Sequence, residues 1–525
     1  QLVPSLFFYL LRLKILLFRN DNKQIFRFFT NRMDHMKLLY RPLSFLILLS
    51  WLISPIEESS TYAMANSTNQ LSDKLLDVLD HEDLSGTIIG LSVRNAKTGE
   101  VIFNYNGDKL LHPASSLKLV TAAAAFELLG ADYRFETEVY TDGFIKNNVL
   151  NGNVYLRGKG DPSVQTKDLL SLASKLRIKG IKKIKGNIVA DDSWYDHVRL
   201  SLDLPWSDET AYYGAQISAL FFSPDSNYNP GTVQLTISSD GNKGNKPVIS
   251  ITPKTNEVMI TNKAKLGPTN SKNTIQINRS HGNNHLTVSG NLPLLTEHKT
   301  YTIPVWEPTH MMLEQFQNAL QTEGIKIKGE KIIGTIPTDA TKLASDQSVT
   351  LAEIIIANLK HSNNTISEVL VKEIGRKYGD NGSWDKGLEL IKGQYSSLGI
   401  HPDFILMRDG SGVSHVNLIS TNALTSLLYQ VQSKPWYGAY KKALPIAGNN
   451  NKTIGGTLTK RMNNTVAEGK VFAKTGTLST VSSLTGFVIN EQGNKYIFSF
   501  IINNAKNETN LKNLENEIAI ILTNN

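Results

Sequence analysis

The feature that most constrains how this chain of 525 residues can fold is a set of three short motifs in a fixed order. Ser115 and Lys118 form S-x-x-K, Ser362 and Asn364 form S-x-N, and residues 474–476 read K-T-G. A chain that uses all three together must bring a helix, a loop and a strand that are distant in sequence to one place. The gap between the first two motifs is more than twice the gap between the last two, so a large insertion must leave that place intact.

Each motif alone is weak evidence, because matches this short arise by chance in a chain of this size. S-x-x-K recurs at Ser383–Lys386, K-T-G recurs at Lys97–Gly99, and S-x-N recurs at residues 67–69, 271–273 and 289–291. The order of the motifs along the chain and their predicted structural setting exclude these copies as parts of the site. Residues 97–99 fall in a predicted hairpin turn ahead of both candidate serines, and Ser383 is more simply the N-cap of the helix that follows it.

The remaining set is typical of acyl transfer through a serine that needs no histidine. Three residues of spacing place Ser115 and Lys118 on one helix face, one turn apart. A lysine can take the serine proton when burial and neighbouring positive charge lower its pKa. Ser115 also opens a segment rich in helix formers, where the helix dipole favours developing negative charge. Ser362 is predicted in a loop between two helices, and Lys474 at the end of a strand.

The pattern of apolar residues predicts an α+β chain with helical ends and a β-rich middle. Residues 133–304 contain many short β-like runs between Gly, Asn and Asp turns, and their spacing indicates sheets rather than βαβ units. Strands are also predicted at Thr87–Arg94, Glu100–Tyr105, Lys470–Lys474, Leu484–Asn490 and Tyr496–Asn503. Helices are predicted at Leu71–Leu79, Ser115–Leu129, Met311–Glu323, Leu351–Leu359, Thr365–Tyr378, Trp384–Leu398, Thr421–Gln432 and Leu511–Leu522.

The N-terminal 65 residues read as a leader rather than as part of the fold. Residues 43–53 form an apolar run, basic residues precede it, and residues 63–65 read A-x-A. These features predict a secretory signal, and therefore export to the cell envelope or beyond, with peripheral membrane association or none after cleavage. The polar stretch 55–62 is long for a cleavage region, which leaves a retained membrane anchor as the alternative. Residues 1–35 suggest a start-site extension or an unusually long leader.

Composition argues against several other classes of chemistry. The chain has no cysteine, which excludes thiolate nucleophiles, zinc–cysteine sites and disulfides. The formal net charge of +8 belongs in part to the leader, and no basic–aromatic pattern points to nucleic acid as a partner. The segment that begins at His81 lacks the second histidine of H-E-x-x-H, so neither a metal nor another cofactor is expected.

The segments around the three motifs resemble the low-molecular-mass class C penicillin-binding proteins, a family of serine D-Ala-D-Ala carboxypeptidases and endopeptidases. The resemblance extends over about residues 70–520. The matching segments are Pro113–Lys118, His361–Asn364, Ile366–Glu368, Asp409–Gly412, Gly455–Leu458, Arg461–Met462 and Lys474–Thr477, with Gly158–Pro162 and Ala190–Ser193 in the long gap.

The resemblance implies a fold as well as an activity. The fold is a β-lactamase/transpeptidase-like domain, an antiparallel sheet with helices on both sides plus a helical subdomain, interrupted by a β-rich two-domain insertion. On this basis the chain divides into a leader (1–65), a catalytic domain (66–136 and 345–525), an inserted domain II (137–229 and 304–344) and a nested β-rich domain III (230–303).

The family's catalytic roles carry over to the matching positions of this sequence. Ser115 is expected to attack the carbonyl between the two D-alanines of a peptidoglycan stem peptide, with Lys118 as general base. Ser362 is expected to pass the proton towards the leaving amine, while Asn364 orients the substrate amide and Lys118. Lys474 supplies positive charge to this site.

The same resemblance assigns substrate contacts to the K-T-G segment. Thr475, Gly476 and Thr477 are expected to bind the substrate's terminal carboxylate and peptide. The backbone N–H groups of Ser115 and Thr477 are expected to form the oxyanion hole. β-Lactam antibiotics mimic the dipeptide and are expected to leave a long-lived acyl group on Ser115.

The stretch 205–213 combines aromatic residues with carboxylates, and in the family such a segment reaches towards the active site. It suits an amino-bearing side chain of the stem peptide, and Asp208 is the candidate residue within it. The alternative interpretation of Asp208 is a residue of an ordinary surface loop.

Several other enzyme classes lack support in the sequence. A class A β-lactamase needs E-x-x-L-N, and a class C-type β-lactamase shows Tyr-x-Asn where this chain has residues 362–364. A Ser-His-Asp hydrolase shows G-x-S-x-G, which Ser115 does not have. A non-catalytic wall-binding protein is disfavoured because every motif residue is intact. The choice between carboxypeptidase and endopeptidase preference stays open.

Overall fold

The computed structural model describes residues 70–506 and 508–525 of the chain. The predicted leader, residues 1–65, lies outside these residues, so the signal and the anchor both stay predictions. Within the described part of the chain, no helix is both long enough and apolar enough to cross a membrane.

The segment before residue 136 supplies a hairpin and the helix of the first motif. Its elements are helix α1 (70–79), strands β1 (Ile88–Asn95) and β2 (Val101–Tyr105), and helix α2 (Lys118–Leu129). β1 and β2 pair antiparallel. The copy of K-T-G at 97–99 lies in their turn, where Gly99 has a φ of +78°. The prediction that this copy belongs to a turn is therefore confirmed.

The middle of the chain is mostly short strands with two helices. Its strands are β3 (Glu136–Thr141), β4 (Phe144–Lys146), β5 (Val149–Asn151), β6 (Val154–Gly158), β7 (Lys183–Ile184), β8 (Ile188–Asp191), β9 (Thr232–Ser238), β10 (Val248–Thr252), β11 (Met259–Asn262), β12 (Lys265–Gly267), β13 (Gln276–Arg279), β14 (His285–Ser289), β15 (Asn291–Pro293), β16 (Lys299–Pro304), β17 (Lys326–Ile327), β18 (Lys331–Ile333) and β19 (Thr341–Gln347). Its helices are α3 (Thr166–Ile178) and α4 (Pro308–Thr322).

The prediction that residues 133–304 avoid βαβ units is wrong for the first part of this region. β6 and β8 pair in parallel, and α3 lies between them in the chain. Parallel strands need a crossover connection, which α3 provides. The sequence did carry this signal, because the buried residues of α3 repeat at the spacing of an amphipathic helix. These residues are Leu169, Leu172, Ala173 and Leu176.

The last part of the chain returns to helices and then closes with three long strands. Its helices are α5 (Leu351–Lys360), α6 (Asn364–Gly379), α7 (Trp384–Lys392), α8 (Thr421–Gln430), α9 (Tyr437–Ala443), α10 (Lys452–Gly455) and α11 (Glu508–Asn524). Its strands are β20 (Ile405–Leu406), β21 (Leu418–Ile419), β22 (Val471–Leu478), β23 (Val481–Ile489) and β24 (Lys495–Asn503).

Two predicted boundaries in this part differ from the structure by four residues or more. The helix expected to reach Leu398 ends at Lys392, and a short 3-10 turn follows at Ser396–Leu398. The strand expected to end at Lys474 continues to Leu478. Lys474 therefore lies inside a strand. The prediction for Ser383 is confirmed, because its side chain accepts a hydrogen bond from the backbone N–H of Lys386 at the start of α7.

Both ends of the described chain build one five-stranded sheet, in the order β2-β1-β24-β23-β22. All neighbouring strands in it are antiparallel. Residues of β24 alternate between two cores, as the period of a strand requires. Phe498, Phe500 and Ile502 pack with α1 and α11, whereas Ile497 and Ile501 pack with α2, α5, α6 and α8. Helices thus cover both faces of the sheet.

The insertion folds into sheets of its own. A mixed sheet runs β18-β8-β6-β3-β19, and a second runs β17-β7-β5-β4. Three further sheets use strands from residues 232–304: β10-β9-β16, β11-β14-β13 and β12-β15. The domain boundaries at 137, 230, 304 and 345 stay a prediction, and this grouping of strands is consistent with them.

Candidate active site

Ser115 lies in a single 3-10 turn, Ala114–Leu117, that runs directly into α2. The regular helix therefore begins at Lys118, three residues later than predicted. Ala114 has a φ of +47°, a left-handed conformation that is strained for alanine and is common at functional sites. Ser115 lines a cavity of about 470 Å³, which places its hydroxyl where a ligand can reach it.

Lys118 is fully buried beside the serine, and three oxygens surround its amine. Its Nζ lies 2.9 Å from Ser115 Oγ, 2.7 Å from Asn364 Oδ1 and 2.7 Å from the carbonyl oxygen of Ser411. Burial lowers the pKa of Lys118 to about 7, against the opposing charges of Glu368 and Asp409. A neutral amine has two N–H groups and one lone pair. It can donate to Asn364 and Ser411 while its lone pair accepts the Ser115 proton.

Two buried carboxylates shape the backbone beneath Lys118. Glu368 accepts hydrogen bonds from the N–H groups of Gly410 and Ser411, at 2.9 and 2.8 Å. Asp409 accepts from the N–H groups of Gly412 and Ser414, both at 2.7 Å. These contacts fix the loop that carries the Ser411 carbonyl. Both carboxylates lie in segments that resemble the family, but the resemblance assigned no role to either of them.

Burial raises the pKa of both carboxyl groups, and repulsion by Asp409 adds to the rise for Glu368, which reaches about 7. Each carboxylate also raises the pKa of Lys118, because an anion favours the ammonium form. The protonation of Lys118 therefore depends on a balance between desolvation and these two acids.

The second and third motifs meet at a hydrogen bond between Lys474 and Ser362. Lys474 Nζ donates to Ser362 Oγ at 2.8 Å and to the Thr475 carbonyl at 2.5 Å. Burial and the nearby charge of Lys118 hold the pKa of Lys474 well below its usual value. Ser362 has a φ of +56°, in the left-handed region. This backbone presents its hydroxyl to the cavity, between α5 and α6 as predicted.

Gly476 allows β22 to pass close to the turn that carries Ser115. A Cβ at this position would lie 2.3 Å from Ser483 Oγ and 2.7 Å from the carbonyl oxygen of Pro113. Thr475 and Thr477, on either side, line the cavity. The hydroxyl of Thr475 donates to that of Thr457 at 2.8 Å.

The structure brings the predicted site residues together at one cavity. Ser115, Ser362, Asn364, Thr475, Thr477 and Asp208 line it. Lys118, Lys474 and Gly476 stand directly behind that lining. The sequence prediction assigned no role to five further lining residues: Val413, His415, Thr457, Leu478 and Ser479. Val413 and His415 follow the D-G-S-G segment, which was the available signal for them.

Asp208 lies on the insertion yet faces the same cavity as Ser115. Tyr212 and Tyr213 share this wall. Asn364 Nδ2 donates to the Tyr213 carbonyl at 3.1 Å, so the wall contacts the second motif directly. This amide contact also leaves Asn364 Oδ1 facing Lys118.

Comparison with known proteins places these observations in a family. A model of the D-Ala-D-Ala carboxypeptidase 3 (S13) family matches residues 71–525. The D-alanyl-D-alanine carboxypeptidase of Actinomadura sp. (strain R39) is 36% identical over 439 residues, 83% of this chain and 81% of that protein. The D-alanyl-D-alanine carboxypeptidase DacB of Haemophilus influenzae is 27% identical over 459 residues, 86% of this chain and 91% of that protein.

Solved structures agree on the fold. Penicillin binding protein 4 of Haemophilus influenzae matches with a TM-score of 0.73 at 24% identity, over 86% of this chain and 99% of that chain. The same protein complexed with a β-lactam matches with a TM-score of 0.69, also at 24% identity, over 86% and 100%. These matches confirm the predicted fold class, an α+β transpeptidase-like domain with an insertion.

Proposed function

We propose that this chain, which belongs to the D-Ala-D-Ala carboxypeptidase 3 (S13) family, releases the terminal D-alanine of peptidoglycan stem peptides through an acyl-enzyme on Ser115. It is a low-molecular-mass class C penicillin-binding protein and a serine hydrolase. One observation carries the proposal. The buried amine of Lys118, with a pKa of about 7, lies 2.9 Å from the hydroxyl of a serine that lines an open cavity.

Acylation begins with the Ser115 oxygen attacking the carbonyl between the two D-alanines. Neutral Lys118 takes the hydroxyl proton as the new C–O bond forms. The Ser362 hydroxyl, hydrogen-bonded to Lys474, gives its own proton to the leaving nitrogen and takes the proton held by Lys118, so Lys118 is neutral again. The C–N bond then breaks, and D-alanine leaves with a neutral amine.

The oxyanion and the substrate carboxylate need separate partners. The backbone N–H groups of Ser115 and Thr477 stabilise the oxyanion of the tetrahedral intermediate. Thr475 and Thr477 hydrogen-bond the terminal carboxylate of the peptide. The negative charge of that carboxylate favours the ammonium form of Lys474, which then attracts it. Asn364 orients the substrate amide through the part of its side chain that faces the cavity.

Water completes the cycle by attacking the ester carbonyl. Lys118 takes a proton from that water and returns it to Ser115, so the shortened peptide leaves with a free carboxylate. A β-lactam ring opens on Ser115 in the same way, but its leaving nitrogen stays attached to the acyl group. Since peptidoglycan lies outside the cytoplasmic membrane, this function places the enzyme in the cell envelope.

The wall formed by Asp208, Tyr212 and Tyr213 serves as a subsite for the stem-peptide side chain. A carboxylate flanked by aromatic rings suits a side chain that ends in an amine. Asp208 lines the cavity as part of this insertion wall, whereas the D-Ala-D-Ala end is assigned to the three motifs, so Asp208 acts on the peptide's side chain.

Labelling with fluorescent penicillin tests the proposal. Wild-type protein is expected to take one label, and Ser115→Ala is expected to take none, because the label is an ester of that oxygen. Ser383→Ala, at the other S-x-x-K serine, is the matched control and is expected to label like wild type. Full labelling of Ser115→Ala would refute the assignment of the nucleophile.

A diacyl peptide ending in D-Ala-D-Ala tests turnover. Release of free D-alanine is expected from the wild type and is expected to be lost in Lys118→Met. A protein that takes penicillin but releases no D-alanine would be a binding protein rather than a carboxypeptidase.

A further inference from the structure

The wall of the cavity formed by residues 205–214 has little regular structure of its own. It consists of two 3-10 turns, Trp206–Asp208 and Tyr212–Gly214, joined by irregular backbone. A loop of this kind keeps a defined shape only when the surrounding structure holds it. Two supports, one on each side, are visible in its contacts.

The inner support is the second catalytic motif. Asn364 donates to the Tyr213 carbonyl at 3.1 Å, and the Tyr213 hydroxyl shares a hydrogen bond with the Asp208 side chain. This support holds the end of the loop that lies next to the nucleophile.

The outer support is a buried ion pair with the nested region. Glu209 directly follows Asp208, and its side chain is 3% exposed. Arg279, the last residue of β13, donates from Nη2 to Glu209 Oε1 at 3.0 Å and to the Glu209 carbonyl at 2.5 Å. Its Nη1 donates to the Pro304 carbonyl at 2.9 Å, at the end of β16. One guanidinium therefore joins the loop to two strands of the nested region.

Aromatic residues and a histidine surround this pair. The Nδ1 atom of His281 contacts Glu209 Oε2. The centroid of the Trp306 ring lies 6.0 Å from the guanidinium carbon of Arg279. It lies 6.3 Å from the centroid of the His281 ring. Burial makes the pair sensitive to the loss of either partner, because an unpaired charge in such surroundings is costly.

We propose that Glu209 and Arg279 are positioning residues for the substrate-facing loop, and that the nested strands act on the reaction by holding Asp208 in place. The inference rests on the proposed function, because the position of Asp208 matters only to a stem peptide that binds there. The ligand group affected is an amino-bearing side chain. The D-Ala-D-Ala end depends instead on the inner support and the three motifs.

Glu209→Gln tests this inference, since it keeps the size of the side chain and removes its charge. The KM for a stem peptide with a free side-chain amine is expected to rise about tenfold or more. The KM for the same peptide with its amine acetylated, and the rate of penicillin acylation, are expected to stay within about twofold. Arg279→Lys keeps the charge but loses the forked contacts, and it is expected to raise the first KM less.

Glu515→Gln is the matched control. Glu515 is 1% exposed and pairs with Arg461 at 2.8 Å, away from the cavity lining. This variant loses a buried ion pair but is expected to keep the wild-type KM for both peptides. The inference is overturned if folded Glu209→Gln binds the amine-bearing peptide like wild type, or if Glu515→Gln raises its KM equally. Failure of the proposed function would look different, as a wild type that takes no penicillin or releases no D-alanine.

Discussion

At the scale of single residues, the pH dependence of the enzyme follows from Lys118. Only the neutral amine can take the serine proton, and its pKa is about 7. The kcat/KM for acylation is therefore expected to fall about tenfold per pH unit below pH 7 and to level off above it. Stopped-flow acylation by a chromogenic β-lactam, measured across this range, gives the profile.

A control for folding accompanies that profile. Far-UV circular dichroism at each pH shows whether a lower rate reflects protonation or unfolding. A rate that stays flat through pH 7 in folded protein would contradict the role of Lys118 as the base.

The sequence predicted the contact inside the first motif, because three residues of spacing place two side chains on one helix face. Ser115 and Lys118 lie 2.9 Å apart for that reason. That the three motifs meet was predicted from their known use in one site. The contact of Asn364 with Tyr213 could not be predicted in this way. Its acceptor is a backbone carbonyl 151 residues away. Every residue has such a carbonyl, so the residue type does not show which one accepts the hydrogen bond.

At the scale of secondary-structure elements, the close passage of β22 beside the nucleophile turn depends on Gly476. Alanine there would place its Cβ 2.7 Å from the Pro113 carbonyl oxygen, which belongs to the backbone and cannot rotate away. Gly476→Ala is expected to push the strand away from Ser115 and to lower the rate of penicillin acylation about a hundredfold. The same stopped-flow assay measures this rate.

Gly438→Ala provides the comparison, because a Cβ at this position of α9 meets no atom within 4 Å. It is expected to acylate at the wild-type rate. Equal rates for both variants would show that β22 does not constrain the turn.

Strand and helix boundaries were less predictable than the motifs. The helix α3 was missed although its apolar residues have the helical period, because it lies in a region whose other apolar runs have the pattern of short strands. The strand β22 continues past its predicted end because pairing with β23 supplies hydrogen bonds through Leu478 opposite Val481. Such pairing is a tertiary effect that a local pattern does not contain.

At the scale of the whole molecule, a buried acid joins the insertion to the catalytic part. Glu373 of α6 accepts hydrogen bonds from Trp194 at 3.0 Å, Tyr195 at 2.8 Å and Tyr133 at 2.5 Å. Tyr195→Phe leaves this carboxyl group short of one donor and is expected to lower the free energy of unfolding by about 1–3 kcal/mol. Urea denaturation followed by tryptophan fluorescence measures the change.

Tyr429→Phe is the corresponding control, because the half-buried Tyr429 donates a long, solvent-exposed hydrogen bond of 3.5 Å to the Thr98 carbonyl. Its stability is expected to match the wild type within about 0.5 kcal/mol. A loss of the same size in both variants would contradict a special role for Glu373.

The order in which the chain is made has a consequence for the central sheet. β1 pairs along its whole length with β24, from Ile88 opposite Asn503 to Asn95 opposite Tyr496. β1 and β2 are therefore synthesised long before β24, and β1 lacks this partner until more than four-fifths of the polypeptide has been made. Ser115 and Lys474 come together only at that late stage. A partly synthesised chain thus carries Ser115 without Lys474 beside it, so the proposed activity requires the last strands.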